Sequence, residues 1–195
     1  MTTRRLTEDQ NIEFSFNEGD QIYLEALINK YPENRKQSAV VPCLFYAQKK
    51  AGGWLPEKAI LSISKLLGMP KIRVLEIATF YSMFNLKPVG KNFVQVCGTT
   101  PCWLRGADKI KAACKDYIGQ EREVSKDGIS WVEVECLGAC VNAPMIQINE
   151  DYYEDLDYES AVKIIKSLKE GKSISIGSQI GRKSSEPLKK EENVR

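Results

Sequence analysis

Two closely spaced cysteine pairs constrain the fold of this chain more than any other sequence feature. Cys97 and Cys102 have four residues between them, Cys136 and Cys140 have three, and 33 residues separate the pairs. Each pair follows a short apolar run typical of a strand, and the residues between the pairs have a helical period. A helical crossover usually leaves two strands of one sheet parallel. We therefore expect all four sulfur atoms to meet at one edge of a sheet.

The absence of histidine, with 6 cysteines present, excludes several classes of site. Imidazole is required for serine–histidine and cysteine–histidine catalysis, for histidine-ligated metals and for Rieske clusters. The 28 lysines and arginines nearly balance the 26 aspartates and glutamates, so the totals indicate no nucleic-acid partner. An apolar run of the ~20 residues needed for a membrane helix is lacking, so we expect no direct membrane insertion. The first residues lack a signal core, which favours a reducing compartment where clustered thiols bind metal.

The apolar pattern predicts four segments along the chain. Residues 1–18 are predicted to form a polar N-terminal arm, and residues 19–86 a helical bundle. Residues 87–175 are predicted to form a compact domain of strands and helices, and residues 176–195 a charged, disordered tail.

Proline and glycine mark the predicted helix limits in the first half. The predicted helices run from Gly19 to Pro32, from the N-cap Ser38 to Gly52, from Pro56 to Gly68, and onward from Pro70. In the second half we predict strands at 93–97 and 131–135, one helix at 100–117, a hairpin at 144–153 and a closing helix at 158–169.

The residues around the cysteine pairs favour an anionic metal centre. Pro101 fits a first helical position, so Cys102 lies in a first turn where free N–H groups favour thiolate. Gly98 and Gly138 leave room for backbone N–H groups to approach sulfur. Four thiolates in this setting suit a [2Fe-2S] centre. Structural zinc on the same thiolates is the alternative, although zinc ribbons favour C-x2-C pairs, which this chain lacks.

The other two cysteines, Cys43 and Cys114, lie in apolar helical patterns. Both are interpreted as small core residues.

At the paired cysteines the sequence resembles a known family. Residues Cys97–Ala107 and Glu135–Pro144 are similar to the signature segments of the thioredoxin-like [2Fe-2S] subunits of respiratory complex I, the NADH:quinone oxidoreductase. The similarity continues through Gly53–Pro56 and Glu76–Phe84, and it covers roughly residues 15–172.

The resemblance implies an α+β or α/β chain in which a helical bundle precedes a thioredoxin-like [2Fe-2S] ferredoxin domain. It implies that Cys97, Cys102, Cys136 and Cys140 ligate one [2Fe-2S] cluster. This cluster would exchange electrons with FMN in a partner subunit that binds both FMN and NADH. The chain would be an electron carrier within an oxidoreductase and translocase, without an acid, base or nucleophile of its own.

The same resemblance implies further partners and a location. Other subunits of the peripheral arm would contact the chain. It would lie at the cytoplasmic side of a bacterial inner membrane or the matrix side of a mitochondrial one. Thioredoxin-like folds often carry a cis proline at the position of Ala143-Pro144.

Three other functions stay open at this point. A diaphorase subunit of an NAD-linked hydrogenase or formate dehydrogenase would carry the same cluster. The pattern Ile63–Leu75 resembles a helix-turn-helix and would suit an iron–sulfur regulator, although its second helix begins with only Lys71 and Arg73 as cations. A four-thiolate zinc interaction module would have no redox role.

Overall fold

The chain forms two compact units, Met1–Val89 and Gly90–Arg195, and each has its own hydrophobic core. The computed structural model describes residues 4–10 and 12–183. Within these residues, no helix combines the length and the apolar character that crossing a membrane requires. The twelve C-terminal residues 184–195 of the predicted tail, and residues 1–3 and 11 of the predicted arm, lie outside the described part.

The described part of the first unit is helical. Its elements are α1 (Glu18–Ile28), a 3-10 helix (Glu33–Ala39), α2 (Val40–Lys50), α3 (Glu57–Leu67) and α4 (Lys71–Phe80). Asn17 caps α1, since its side chain accepts a hydrogen bond from the backbone N–H of Asp20 at 2.9 Å. Gly68 ends α3 in the left-handed conformation with φ 60°, which is the predicted end.

The predicted start of α2 at Ser38 is wrong. Residues 33–39 form the 3-10 helix instead, and α2 begins at Val40 without a side-chain cap. The apolar faces of the helices enclose one core, to which Cys43 contributes as predicted. Its largest fully buried side chains are Leu24, Leu44, Leu55, Ile60, Ile63, Val74 and Phe84.

The second unit contains a five-stranded mixed sheet within its described residues. Its strands are β1 (Asn92–Cys97), β2 (Ile129–Val134), β3 (Ile146–Ile148), β4 (Asp151–Glu154) and β5 (Gly177–Ser178), in the order β2-β1-β3-β4-β5. β1 and β2 are parallel, which confirms the predicted crossover. β3 is antiparallel to both β1 and β4, and β5 is parallel to β4.

Three α-helices accompany the sheet in the described residues. They are α5 (Thr100–Leu104), α6 (Ala107–Tyr117) and α7 (Tyr158–Lys169), and a short 3-10 helix spans Cys140–Asn142. The prediction of a single helix over 100–117 is wrong, because Gly106 adopts φ 100° and separates α5 from α6. α7 has the predicted limits, and the Ala143–Pro144 bond is cis.

Part of the segment predicted as a disordered tail is ordered. Gly177 and Ser178 pair with β4, and the side chain of Arg182 donates a hydrogen bond to the carbonyl of Val141 at 2.9 Å. The prediction is therefore wrong for these residues. The pairing is non-local, and a two-residue strand leaves no periodic pattern in the sequence.

The outer side of β2 is occupied by the loop that follows α6. The N–H of Arg122 donates to the carbonyl of Trp131 at 2.8 Å, and the carboxylate of Glu121 accepts from the N–H of Glu133 at 3.3 Å. The indole N–H of Trp131 donates to the carbonyl of Gly119 at 2.8 Å. The loop is therefore fixed along this strand by both backbone and side-chain hydrogen bonds.

Candidate metal centre

The four paired cysteines lie at one end of the sheet in the second unit. Cys97 is the last residue of β1 and is in register with Val134, the last residue of β2. Cys136 follows β2 by two residues, while Cys102 lies in α5 and Cys140 begins the short 3-10 helix. Parallel strands that end in register send their loops out at the same end, which brings the two pairs together.

The sulfur atoms form two pairs that Thr99 connects. The Sγ atoms of Cys136 and Cys140 are 3.5 Å apart, and Cys97 and Cys102 lie within hydrogen-bonding reach of each other. The hydroxyl of Thr99 is 3.5 Å from the sulfur of Cys97 and also hydrogen-bonds the sulfur of Cys136. Thr99 therefore touches one member of each pair.

The two pairs differ in their exposure to solvent. Cys97 and Cys102 are each 1% exposed, whereas Cys136 and Cys140 are exposed. The buried pair packs in a small cluster with Ala107, Ala143 and Met145. One side of the site is therefore insulated by protein, and the other faces outward.

Backbone N–H groups point at three of the sulfur atoms. The N–H of Gly138 donates to the sulfur of Cys136 at 3.4 Å. The backbone of Leu137 hydrogen-bonds the sulfur of Cys97, and that of Met145 hydrogen-bonds the sulfur of Cys102. Gly138 has φ 86°, a conformation that a residue with a side chain adopts only at a cost, so glycine suits this turn.

Each pair combines one acidic thiol with one that resists ionisation. Burial opposes ionisation of Cys97, but hydrogen bonds from Thr99 and Leu137 bring its pKa below the usual value. Burial, together with the neighbouring Cys97, raises the pKa of Cys102 to about 12. The Gly138 N–H lowers the pKa of Cys136, and the hydrogen bond with Cys136 raises the pKa of Cys140.

Sharing of a proton within each pair suits the binding of a cation. A metal ion displaces the remaining proton and takes both sulfur atoms as thiolates. The isolated cysteines differ, since burial raises the pKa of Cys43 to about 11 and that of Cys114 to about 12. Both are fully buried thiols, as predicted for core residues.

The donor set fits a binuclear iron–sulfur cluster. A [2Fe-2S] cluster takes four ligands, two on each of its irons. The four sulfur atoms lie as two pairs, with N–H and O–H donors beside them. Among the described residues, no group of three or more His, Cys, Asp or Glu side chains is arranged to hold one metal ion.

The sequence did not indicate two residues that support the site, Tyr152 and Met145. Tyr152 lies on β4, and its hydroxyl donates to the carbonyl of Leu137 at 2.7 Å. The alternation along β4 is the signal that could have identified it. Tyr153 packs in the main core of the unit, so Tyr152 must face the other side of the sheet.

Comparison with known proteins gives a consistent result. The model of the thioredoxin-like [2Fe-2S] ferredoxin family matches residues 24–169. One of the NADH-quinone oxidoreductase subunits of Rickettsia bellii is 54% identical over 158 residues, which are 80% of this chain and 95% of the relative. A subunit of the same name from Rhizobium meliloti is 49% identical over 195 residues, which are 96% of this chain and 70% of the relative.

A mitochondrial relative and a solved structure extend the comparison. Flavoprotein 2 of the mitochondrial NADH dehydrogenase [ubiquinone] of Dictyostelium discoideum is 44% identical over 184 residues, 92% of this chain and 74% of the relative. An NAD+-reducing [NiFe]-hydrogenase, solved in the air-oxidized state, superposes with a TM-score of 0.55 at 20% identity. The superposition covers 66% of this chain and 23% of the hydrogenase chain, and at this identity it shows the fold alone.

The match of the family model and the identity with these relatives agree with the fold class and the family expected from the sequence. The chain belongs to the thioredoxin-like [2Fe-2S] ferredoxin family.

Proposed function

We propose that this chain is the electron-transfer subunit of an NADH-quinone oxidoreductase and that Cys97, Cys102, Cys136 and Cys140 hold its one [2Fe-2S] cluster. The observation that carries this proposal is the convergence of the four cysteines, as two pairs, at one end of the sheet. The bound cluster supplies one-electron redox chemistry. The relatives that are 44–54% identical bear the names of subunits of NADH-oxidising enzymes.

The polar groups around the sulfur atoms favour the reduced state. The four thiolates give a site whose negative charge increases when an electron arrives. The N–H groups of Leu137, Gly138 and Met145 and the hydroxyl of Thr99 stabilise that charge. The chain thus contributes hydrogen-bond donors rather than an acid, a base or a nucleophile.

The exposed pair is the side through which electrons enter and leave. Cys136 and Cys140 lie at the surface, whereas protein covers Cys97 and Cys102. Hydride chemistry belongs to nicotinamide and flavin cofactors, and the sequence carries no glycine-rich dinucleotide fingerprint. FMN and NADH are therefore bound by a partner subunit that approaches the exposed pair.

Further partners are other subunits of the peripheral arm of the same complex. The chain is placed by that complex at the cytoplasmic side of a bacterial inner membrane or the matrix side of a mitochondrial one. The names of its bacterial and mitochondrial relatives support both settings.

Metal analysis of the chain after anaerobic purification tests the proposal. We expect about two iron and two sulfide per chain, a red-brown colour that dithionite bleaches, and a paramagnetic signal upon reduction. A colourless protein that contains zinc instead of iron would overturn the proposal and favour the zinc interaction module.

The identity of the co-purified subunits separates the remaining alternatives. Affinity purification from the native host is expected to recover an NADH- and FMN-binding subunit together with quinone-reducing subunits. Recovery of hydrogenase or formate dehydrogenase subunits would instead assign the chain to one of those enzymes. Retention on DNA at moderate salt would favour the regulator.

A further inference from the structure

The peptide unit between Leu137 and Gly138 is held at both of its ends. Its carbonyl oxygen accepts a hydrogen bond from the hydroxyl of Tyr152 at 2.7 Å. Its N–H, on Gly138, donates to the sulfur of Cys136 at 3.4 Å. A peptide unit is planar and trans, so its carbonyl and its N–H point in opposite directions. Any interaction that fixes the carbonyl therefore also aims the N–H at the sulfur.

The loop that contains this peptide needs such an anchor. Cys136 is exposed, and Gly138 has φ 86°, in a region that glycine enters freely and leaves freely. The hydrogen bonds of the sheet end at Val134, three residues before Leu137. Rotation of the Leu137–Gly138 peptide would therefore meet little resistance from the loop itself.

Tyr152 provides a rigid point of attachment. It lies in β4, where it is paired with Gln147 of β3. Its half-buried ring packs against the small cluster that contains Cys97, Cys102 and Met145. The phenol thus extends from an ordered strand, past the buried cysteine pair, to the carbonyl of the exposed loop.

We propose that Tyr152 is a positioning residue that raises the reduction potential of the site by orienting the Leu137–Gly138 peptide toward Cys136. This inference rests on the proposed function, because it concerns the same four sulfur atoms. The N–H of Gly138 stabilises negative charge on sulfur, and the hydroxyl of Tyr152 polarises the peptide so that this N–H becomes a stronger donor. Loss of the hydroxyl weakens both effects, which disfavours the reduced state.

The test replaces Tyr152 by Phe, which keeps the ring and removes only the hydroxyl. The matched control is Tyr153→Phe, on the same strand, because Tyr153 packs in the main core of the unit instead. The purified, cluster-containing chain is titrated with reductant while the paramagnetic signal is followed. For Tyr152→Phe we expect the equilibrium constant for reduction to fall about threefold to tenfold, and a tenfold fall is about 59 mV for one electron. Tyr153→Phe should titrate like the unmodified chain.

A second measurement uses the unmodified chain alone. Electron–nuclear double resonance of the reduced state, in H₂O and in D₂O, with ¹⁵N-labelled glycine, should detect a strongly coupled exchangeable proton on a glycine nitrogen. Absence of this proton overturns the inference even if Tyr152→Phe fails to fold. In Tyr152→Phe, its coupling should decrease.

The outcomes separate the inference from the proposed function. A potential unchanged by Tyr152→Phe, or an equal shift in both tyrosine variants, overturns the role of Tyr152 while the cluster stands. An unmodified chain that purifies without iron and sulfide overturns the proposed function itself, before any variant is compared.

Discussion

The sulfur atoms of Cys136 and Cys140 lie 3.5 Å apart on an exposed loop, although three residues separate these cysteines in the chain. The loop folds back through Gly138, which places both thiols on one side. The arrangement holds two ligands in reach of a single iron before any metal arrives. Removal of either sulfur should therefore abolish one half of the proposed ligand set.

Cys140→Ala should abolish stable binding of the cluster. The variant is expected to lose most of its iron and the visible absorbance, because three thiolates remain for four positions. Cys114→Ala is the matched control: it should keep its iron and lose about 1 kcal/mol of unfolding free energy from a small cavity. Iron analysis and urea denaturation measure the two effects. Full iron retention in Cys140→Ala would contradict the ligand assignment.

Thr99→Val should change the potential without changing the metal content. The hydroxyl of Thr99 lies 3.5 Å from the sulfur of Cys97, and it makes no side-chain cap of α5. Its loss should lower the midpoint potential by on the order of 20–60 mV. The exposed neighbour Thr100, changed to Val, provides the control in the same redox titration. Equal potentials for both variants would exclude Thr99 as a donor.

The stability of the helical unit should depend on the ionisation of Asp20. Its carboxylate accepts from Lys50 and from the hydroxyl of Tyr46, each at 2.6 Å, and the hydrogen bond from Lys50 is the main cause of its lowered pKa. Because the pKa in the folded chain lies below the usual 3.8, the ionised carboxylate stabilises the fold above that value. This contribution is lost as the pH falls through the lower pKa of the folded chain.

The measurement is urea denaturation of the chain at a series of pH values from neutral to about 3. Asp20→Asn should be less stable than the unmodified chain at neutral pH, and its stability should fall less on acidification. Glu25→Gln, at an exposed position of the same helix, controls for a change of net charge. Parallel pH profiles for the unmodified chain and Asp20→Asn would refute the prediction.

Phe84→Ala should destabilise the helical unit, whereas Phe80→Ala should not. Phe84 is fully buried, and its ring centroid is 5.0 Å from that of Phe45, whereas Phe80 is 79% exposed. Truncation of a buried phenylalanine leaves a cavity and costs about 3–5 kcal/mol. Denaturant unfolding of the two variants is the test, and similar midpoints would show that Phe84 does not anchor the core.

Sequence patterns predicted those elements whose cause is local. Gly68 ends α3 because its left-handed conformation suits glycine, and α7 has the predicted limits because Asp157 caps an amphipathic run. The parallel pairing of β1 and β2 follows from the helical crossover between them. Their common end then brings the cysteine pairs together, so the position of the site also follows from the sequence.

The remaining features depend on contacts between distant residues. The break at Gly106, the pairing of Gly177 with Tyr153 and the hydrogen bond of Tyr152 with Leu137 involve backbone choices or partners that no local pattern encodes. Tyr152 reaches the cysteine loop only because the β3–β4 hairpin sets its register. The predicted limits of the four segments and the assignment of the four ligands stay predictions.

The occupied flanks of the sheet have a consequence for assembly. On one side the loop after α6 already satisfies Trp131 and Glu133 of β2, and on the other β5 is only two residues long. Unpaired strand edges invite the addition of a further strand from another chain, and short or covered edges discourage it. The unit is thereby guarded against sheet extension and aggregation. A partner is therefore expected to dock through side chains and loops rather than by adding a strand.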